Sequence, residues 1–422
     1  TVQSVDCKFV IENDNTVKFE LGNYDRSKIL IIDPVVRTFS SYLGSTSTDY
    51  PYSSAIDENG FVYVAGYTSS SSFPVTPGAY KTTISTTPDC FVTKFNSNGA
   101  SLIFSTFLGG NGSDYTIGIE VDQNNDIYVA GYTYSSNFPT SVGAFRTTVV
   151  ATPDAFATKL SSGGNSLIYS TYLGGSSTEI AYGMTIDNNG FMHVVGYTNS
   201  SNYPTTSGAY RTTQVAGVDV FLTKVSQNGQ TLAFSTYLGG SSSEYAYGVA
   251  VDNNGSAYVT GYTSSSNFPV TAGAYKTTYT ATDVFVTKFN PTGSALVYST
   301  YMPGNSTDIG YGIAVDGSGQ ATVVGYTNSS SGFPLLNAFR TTLQGVEGFV
   351  TKFNTNGSGL IFSTYIGGSS SDYVYDAVTD AEGQIFVGGY TASNNLPMAT
   401  GATQPSSGGG NDGILYQISP TG

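Results

Sequence analysis

Short runs in which apolar and polar residues alternate fill most of this chain, and Gly, Asn, Asp or Pro breaks them every ten residues or so. Residues 239–301 show the pattern in full. After Gly239-Gly240-Ser241-Ser242-Ser243-Glu244, residues 245–252 alternate, and Asn253-Asn254-Gly255 supplies a hairpin turn that tolerates positive φ. Residues 257–262 read as the partner strand. A segment of some twenty residues carrying Asn267-Phe268-Pro269 follows, then a third strand over 284–289, a turn at 290–293 and a fourth strand over 296–301. Apolar residues spaced for a helix over three turns are not found, and Gly and β-branched residues recur throughout.

The unit repeats. A seven-residue phrase of the type Phe/Tyr-Ser-Thr-Tyr-Leu-Gly-Gly returns six times, its central aromatic at Tyr42, Phe107, Tyr172, Tyr237, Tyr301 and Tyr365, a spacing of 65, 65, 65, 64 and 64 residues. Such self-similarity means one supersecondary unit copied around an axis or along a stack. Four consecutive antiparallel strands per period form the blade of a β-propeller. A flat solenoid is the rival, and the chain ends argue against it. The last copy offers three strands, over 376–379, 384–390 and 413–418, whereas residues 36–43 match the fourth strand of every other copy. An orphan fourth strand at one end and a missing one at the other predict a closed ring, which leaves no open sheet edge. The expectation is an all-β, six-bladed propeller over 36–422, its last blade completed by the N-terminal strand.

The blades resemble the SBBP class of β-propeller repeats through Tyr-Leu-Gly-Gly and Asn-Phe-Pro. The stretch Gly248-Val249-Ala250-Val251-Asp252-x-x-Gly255-x-Ala257-Tyr258-Val259 is also similar to the NHL repeat. The resemblance implies an exported propeller, and the family's name implies seven blades where this chain counts six. Departures are Met302-Pro303 in the fifth copy and Ala402-Thr403-Gln404, which replaces Tyr-Lys/Arg-Thr-Thr in the sixth.

Residues 1–35 lie outside the repeat. Residues 17–21 and 28–32, joined by Gly22-Asn23-Tyr24-Asp25, read as a hairpin too small to bury a core of its own. This arm therefore docks on its propeller or adds strands to a neighbour, and it reads as the remnant of an upstream domain. The start at Thr1 reads as a processed product.

Composition narrows the partners. Charged residues are 10% of 422, the net charge is −14, and small polar and aromatic residues fill the gap. That balance argues against nucleic acid and anionic membranes, which need clustered Lys and Arg. No apolar run is long enough for a membrane helix. Few Lys, few Cys and much Ser, Thr, Asn and Tyr read as a secreted, cell-surface prokaryotic protein. Cys90 reads as a small buried side chain, with a Cys7–Cys90 disulfide as the alternative.

Almost every charge obeys the repeat. Asp49, Asp114, Glu179, Glu244, Asp308 and Asp372 precede the first strand; Asp57, Asp122, Asp187, Asp252, Asp316 and Asp380 end it; Asp89, Asp154, Asp219, Asp283, Glu347 and Asp412 open the third. Lys81, Arg146, Arg211, Lys276 and Arg340 sit in the long loop, and Lys94, Lys159, Lys224, Lys288 and Lys352 end the third strand. Salt bridges between blades and Asx-type turn capping explain these sets. The functional alternative is that Asp49, Asp114, Glu179, Glu244, Asp308 and Asp372 ring the axial mouth and hold Ca²⁺. A second candidate is an aromatic, hydroxyl-rich long-loop face for glycans or proteins, carried by Phe73, Tyr80, Phe138, Phe145, Tyr203, Tyr210, Phe268, Tyr275, Phe333 and Phe339. The bland version is that these rings form a small satellite core over each blade.

His193, the single histidine, falls in a second strand with no unique nucleophile or acid, and reads as packing. Symmetric charge gives asymmetric chemistry little to use, so the expectation is a non-enzyme without cofactor, Ca²⁺ apart, with a structural or adhesive role. Self-assembly into a filament through the N-terminal arm is the leading form of that role. A glycan- or Ca²⁺-binding module is the alternative, and a hydrolase or lyase in the channel is the third.

Overall fold

The computed structural model describes residues 7–11, 17–21, 39–399, 402 and 404–422, and the chain divides into two compact units, Thr1–Ser40 and Ser41–Gly422. In the first unit Cys7–Ile11 pairs antiparallel with Val17–Leu21, Phe9 opposite Phe19. The sequence reading had missed Cys7–Ile11, an apolar run followed by the turn-forming residues Asn13, Asp14 and Asn15. The expected partner over 28–32 lies outside the described residues.

The second unit is all-β. Five four-stranded antiparallel sheets and one three-stranded sheet follow in chain order, each with its strands in sequence order, and they form the six blades of a propeller. Blade four is typical, with strands Glu244–Val251, Ala257–Thr263, Asp283–Phe289 and Leu296–Met302. The apolar residues of successive blades interlock: Val220, Leu222 and Leu238 of blade three share one buried cluster with Val249, Val259, Phe285 and Tyr301 of blade four. Each fully buried aliphatic or aromatic side chain contributes roughly 1.5–3 kcal/mol.

Two local devices recur, the first in all six blades and the second in blades one to five. The first strand carries a β-bulge at the same place each time, between Ala246 and Gly248 in blade four. In blades two to five the residue after it is Gly, and a Cβ on Gly248 would lie 2.8 Å from the Tyr311 carbonyl oxygen of the next blade. The long connection from strand two to strand three, in turn, runs down the outside of the blade. Thr76 N–H donates to Ser105 O at 3.0 Å and Phe107 N–H to Lys81 O at 2.9 Å, so the loop seals the outer edge of the fourth strand.

Among the described residues the sixth blade has three strands, Asp372–Thr379, Ile385–Thr391 and Asp412–Ile418. The strand expected to complete it begins at residues 36–38, which lie outside the described residues; residues 39–43 are not in a strand, Tyr42 is exposed, and Leu43 packs on Phe73, Phe91 and Phe107 of blade one.

Candidate functional site

At the hairpin end of each blade the strand-ending carboxylate caps its own turn, and in blades one to five it also meets the third-strand lysine. Asp252 Oδ1 accepts from Asn254 N and Ser256 N at 3.0 and 2.9 Å, and Lys288 Nζ stands 3.0 Å from Oδ2. Burial opposes the charge on Asp252, but the Ser256 N–H and the Lys288 ammonium outweigh it and hold the carboxyl below its usual range. Lys94–Asp57, Lys159–Asp122, Lys224–Asp187 and Lys352–Asp316 repeat the pair within 3.3 Å. The turn capping is as expected, but these salt bridges join the first and third strands of one blade rather than neighbouring blades.

The six acids expected to ring the axial mouth do something else. Asp114, Glu179, Glu244, Asp308 and Asp372 are fully buried, one per blade. Asp114 Oδ2 accepts from Gly110 N at 2.8 Å and from Ser135 Oγ at 2.9 Å, and Thr133 Oγ1 donates to Oδ1. Glu244 takes the same bonds from Gly240 N and Thr263 Oγ1, each at 2.7 Å. Asp49 is held by Ser45 N at 2.6 Å and by Ser70 Oγ at 3.1 Å. Their lone pairs are spent on Ser, Thr and backbone donors, and no group of three acids, His or Cys converges among the described residues. The proposed Ca²⁺ ring of Asp49, Asp114, Glu179, Glu244, Asp308 and Asp372 is therefore replaced by six separate enclosures.

Each enclosure between blades is instead a joint. The acid opening the third strand of one blade meets the acid opening the next blade, across the first glycine of the Gly-Gly pair. A Cβ on Gly109 would lie 2.6 Å from both Asp89 Oδ1 and Asp114 Oδ2. A basic side chain enters from the sealed loop. Lys81 Nζ bonds Asp89 Oδ2 at 2.9 Å and Gly109 O at 2.7 Å; Arg340 bonds Glu347 at 2.9 Å and Gly368 O at 2.6 Å. Two buried carboxyls per cation leave one surplus, and Asp89, Asp154, Asp219, Asp283 and Glu347 each keep at least one oxygen without a protein donor. Burial, with the neighbouring acid, pushes Asp154 up to about 8; burial above all pushes Asp114 and Asp219 up to about 6 and Asp308 up to about 7. At neutral pH the Asp154 joint therefore holds a proton, whereas carboxyls raised only to about 6 have largely lost theirs.

The long-loop aromatics also depart from the binding-face expectation. Phe73, Phe138, Tyr203, Phe268 and Phe333 are buried to within 6%, each packed on the third-strand Phe of its own blade, as Phe268 is on Phe285 with centroids 4.8 Å apart. Tyr80, Phe145, Tyr210 and Tyr275 are partly buried in the cores between blades. Phe339 alone of the ten is largely exposed, at 51%. The apolar loop residues satisfy the outer edges and the cores, and the face they were to form is absent.

A different aromatic surface takes its place, one the sequence reading did not single out. The bulge in each first strand rotates one residue out of the ladder, and that residue is Tyr52, Ile117, Tyr182, Tyr247, Tyr311 or Tyr375. From blade three to blade six these rings touch in series, Tyr182–Tyr247, Tyr247–Tyr311 and Tyr311–Tyr375, with centroids 4.9, 5.1 and 5.0 Å apart. Second-strand tyrosines thicken the belt: Tyr245 stacks on Tyr262 at 5.1 Å and Tyr373 on Tyr390 at 5.0 Å. Tyr52 and Tyr375 are about half exposed, at 55% and 44%. Burial, then neighbouring phenols, pushes Tyr182 and Tyr375 up to about 12, so their hydroxyls remain donors. The recurring Tyr-x-Tyr and Ala-Tyr-Gly phrases were the available signal, but alternation alone assigns such rings to one sheet face, and the bulge is invisible in it.

His193 is fully buried in the second strand of blade three, edge-on to Phe234. It occupies the place where Tyr63, Tyr128 and Tyr258 donate to their turn carboxylates, and its Nε2 stands 3.5 Å from Asp187 Oδ2. Burial lowers its basicity and keeps it neutral. Cys90 is a buried free thiol, so the alternative Cys7–Cys90 disulfide is not formed. Glu120 breaks the repeat. It accepts from Ile186 N at 3.1 Å across a blade boundary, burial pushes it up to about 7, and it lines a cleft of about 550 Å³ with Lys159, Asn188 and Gln227.

A family comparison agrees with this architecture. The SBBP model, described as a beta-propeller repeat, matches residues 38–74, 103–139, 168–204 and 233–269, and a domain of unknown function, DUF7948, matches residues 1–35. No curated protein matches the chain. Among solved structures, a protein of unknown function from Dyadobacter fermentans is 12% identical, with 89% of this chain and 96% of that one covered, at a TM-score of 0.44. A gluconolactonase from Xanthomonas campestris is 12% identical over 82% and 84%, at a TM-score of 0.38. The calcium-binding protein regucalcin from Agrobacterium tumefaciens is 9% identical over 88% and 90%, at 0.36.

Proposed function

We propose that this chain, a six-bladed propeller carrying SBBP repeats, is a non-enzymatic protein of the prokaryotic cell surface or extracellular space with a structural and adhesive role. The observation that carries the reading is the tyrosine belt, aimed by a bulge in every first strand, while the repeated charges are spent inside turns and joints. Phenol faces and hydroxyls together suit partner surfaces and neutral glycans, which need stacking area and donors rather than opposite charge. The net charge of −14 keeps anionic polymers away. The test is adhesion of the full chain to glycan arrays and cell-wall fractions, against Tyr247→Ala and Tyr311→Ala. Loss of retention in both variants supports the belt; unchanged retention, or turnover of any captured glycan, removes the reading.

Assembly into a filament is the second reading, favoured by the exposed Tyr42. Electron microscopy of the full chain, with and without residues 1–34, tests it. Monomers at every concentration would end it. The Ca²⁺ reading loses its ring of donors, and calcium calorimetry is expected to be silent.

A further inference from the structure

We infer that the joint between blades four and five binds a monovalent cation of ammonium size, such as potassium, in the place that a lysine or arginine head group takes at the other joints. Those joints show what the place accepts. At the first, Lys81 Nζ lies 2.9 Å from Asp89 Oδ2 and 2.7 Å from Gly109 O. Arg146 and Arg211 bond Gly174 O and Gly239 O at the second and third, and Arg340 bonds Glu347 and Gly368 O at the fifth.

The fourth joint keeps both acids but does not receive its basic side chain. Asp283 and Asp308 are fully buried, and Asp308 feels the charge of Asp283. Lys276, the counterpart of Lys81, is exposed instead, with its ammonium 5.6 Å from the centre of the Tyr275 ring, and it makes no ion pair among the described residues. The sequence explains the difference. Cation and acid stand eight positions apart in Lys81–Asp89, Arg146–Asp154 and Arg211–Asp219, but seven apart in Lys276–Asp283. Blade five has the same short loop and still forms its pair, because Arg340 and Glu347 both reach further than Lys and Asp.

The acceptors remain. Asp283 Oδ1 is buried without a protein donor. Its counterpart Asp89 Oδ1 faces the acid of the next blade, since a Cβ on Gly109 would lie 2.6 Å from both Asp89 Oδ1 and Asp114 Oδ2. Pro303 stands in the place of Gly109 and keeps the carbonyl that Lys81 uses there. A bare carboxylate oxygen buried beside a second carboxyl calls for positive charge. The lysine contacts at 2.7 and 2.9 Å set its size. Ca²⁺ and Mg²⁺ bind oxygen at roughly 2.3–2.6 and 2.0–2.1 Å and need about six ligands or more. A place shaped for a lysine head group therefore suits a larger ion of single charge.

Lys276→Arg tests the site, because the longer arm brings in the protein's own cation, as Arg340 does in blade five. Thermal melting of the full chain is compared in potassium chloride and choline chloride at equal ionic strength. Wild type is expected to melt about 2 °C higher in potassium. Lys276→Arg should melt in choline where wild type melts in potassium, and should ignore the change of salt. Asp283→Asn should also lose the potassium increment, whereas Asp154→Asn, at a joint that has Arg146, should keep it. Crystals soaked in thallous ion, a heavy stand-in for potassium, should give an anomalous peak between Asp283 and Asp308 and none at the first joint. Equal melting of wild type in the two salts, an increment that survives in Lys276→Arg, or the absence of that peak overturns the inference and leaves only a shared proton between the two acids.

Discussion

Replacing Asp154 by Asn removes one carboxyl of the joint between blades two and three and leaves a neutral side chain of the same shape. Asp154 faces Glu179 from the next blade, Arg146 from the sealed loop and Tyr172 from the fourth strand. Its folded value is about 8 against an ordinary 3.8. The sign follows from the raised value. Below pH ~4 both folded and unfolded chains hold the proton, and the joint contributes in full. Between pH ~4 and ~8 the unfolded chain has lost its proton while the folded chain keeps it, so stability falls as pH rises. At ~1.4 kcal/mol per pH unit, the rise from 3.8 to about 8 sets a ceiling of ~6 kcal/mol at pH 8. Water entering a loosened joint would lower the cost, and we expect about 3 kcal/mol. An Asn in place of the acid still donates to Glu179 and has no proton to lose. The Asp154→Asn chain is therefore expected to match wild type near pH 4 and to exceed it by about 3 kcal/mol at pH 8 to 9. Urea denaturation followed by circular dichroism, at intervals from pH 4 to 9, measures the difference. Parallel curves for the two chains across that range would refute the shared-proton joint, as would a variant less stable at pH 8.

Other joints and turns give independent checks. Gly109→Ala places a Cβ 2.6 Å from two carboxylate oxygens, and a loss of roughly 1–3 kcal/mol is expected from the overpacking, read by thermal melting. Asp252→Asn, at a carboxyl held below its usual range by Ser256 N–H and Lys288, should cost stability at neutral pH. It should cost little once pH falls through the folded value, the reverse of Asp154→Asn. His193→Tyr restores the hydroxyl that Tyr128 and Tyr258 direct at their turn carboxylates, and about 1 kcal/mol of stabilisation in urea is the expected gain. Phe268→Ala removes a ring packed on Phe285 and Tyr301 and should cost about 3–5 kcal/mol, with circular dichroism at 25 °C unchanged.

The residue order alone settled the repeat, its four strands, the blade count and the capping of each turn by the strand-ending Asp, because these are local matters. Alternation sets the face of each strand, Asn-Gly and Asp-x-x-Gly turns set the hairpins, and identical copies must make identical contacts. The burial of His193 and Cys90 was legible for the same reason, since each stands where the other copies carry packing residues. The long-range arrangement was not legible. Asp114 and Asp89 are 25 positions apart, and only the apposition of two blades brings them onto one glycine, where burial raises the Asp114 carboxyl above its usual range. The Phe-Pro loops read either as a binding face or as a satellite core over each blade, and the structure buries them as core while the loops cover the outer strand edge. Tyr247 read as one more alternating residue until a bulge turned it towards its counterparts in the neighbouring blades. The closing strand shows the limit most plainly: residues 36–43 carry the pattern of a fourth strand, but a strand forms only against a partner edge, and which edge it meets is decided by tertiary contacts.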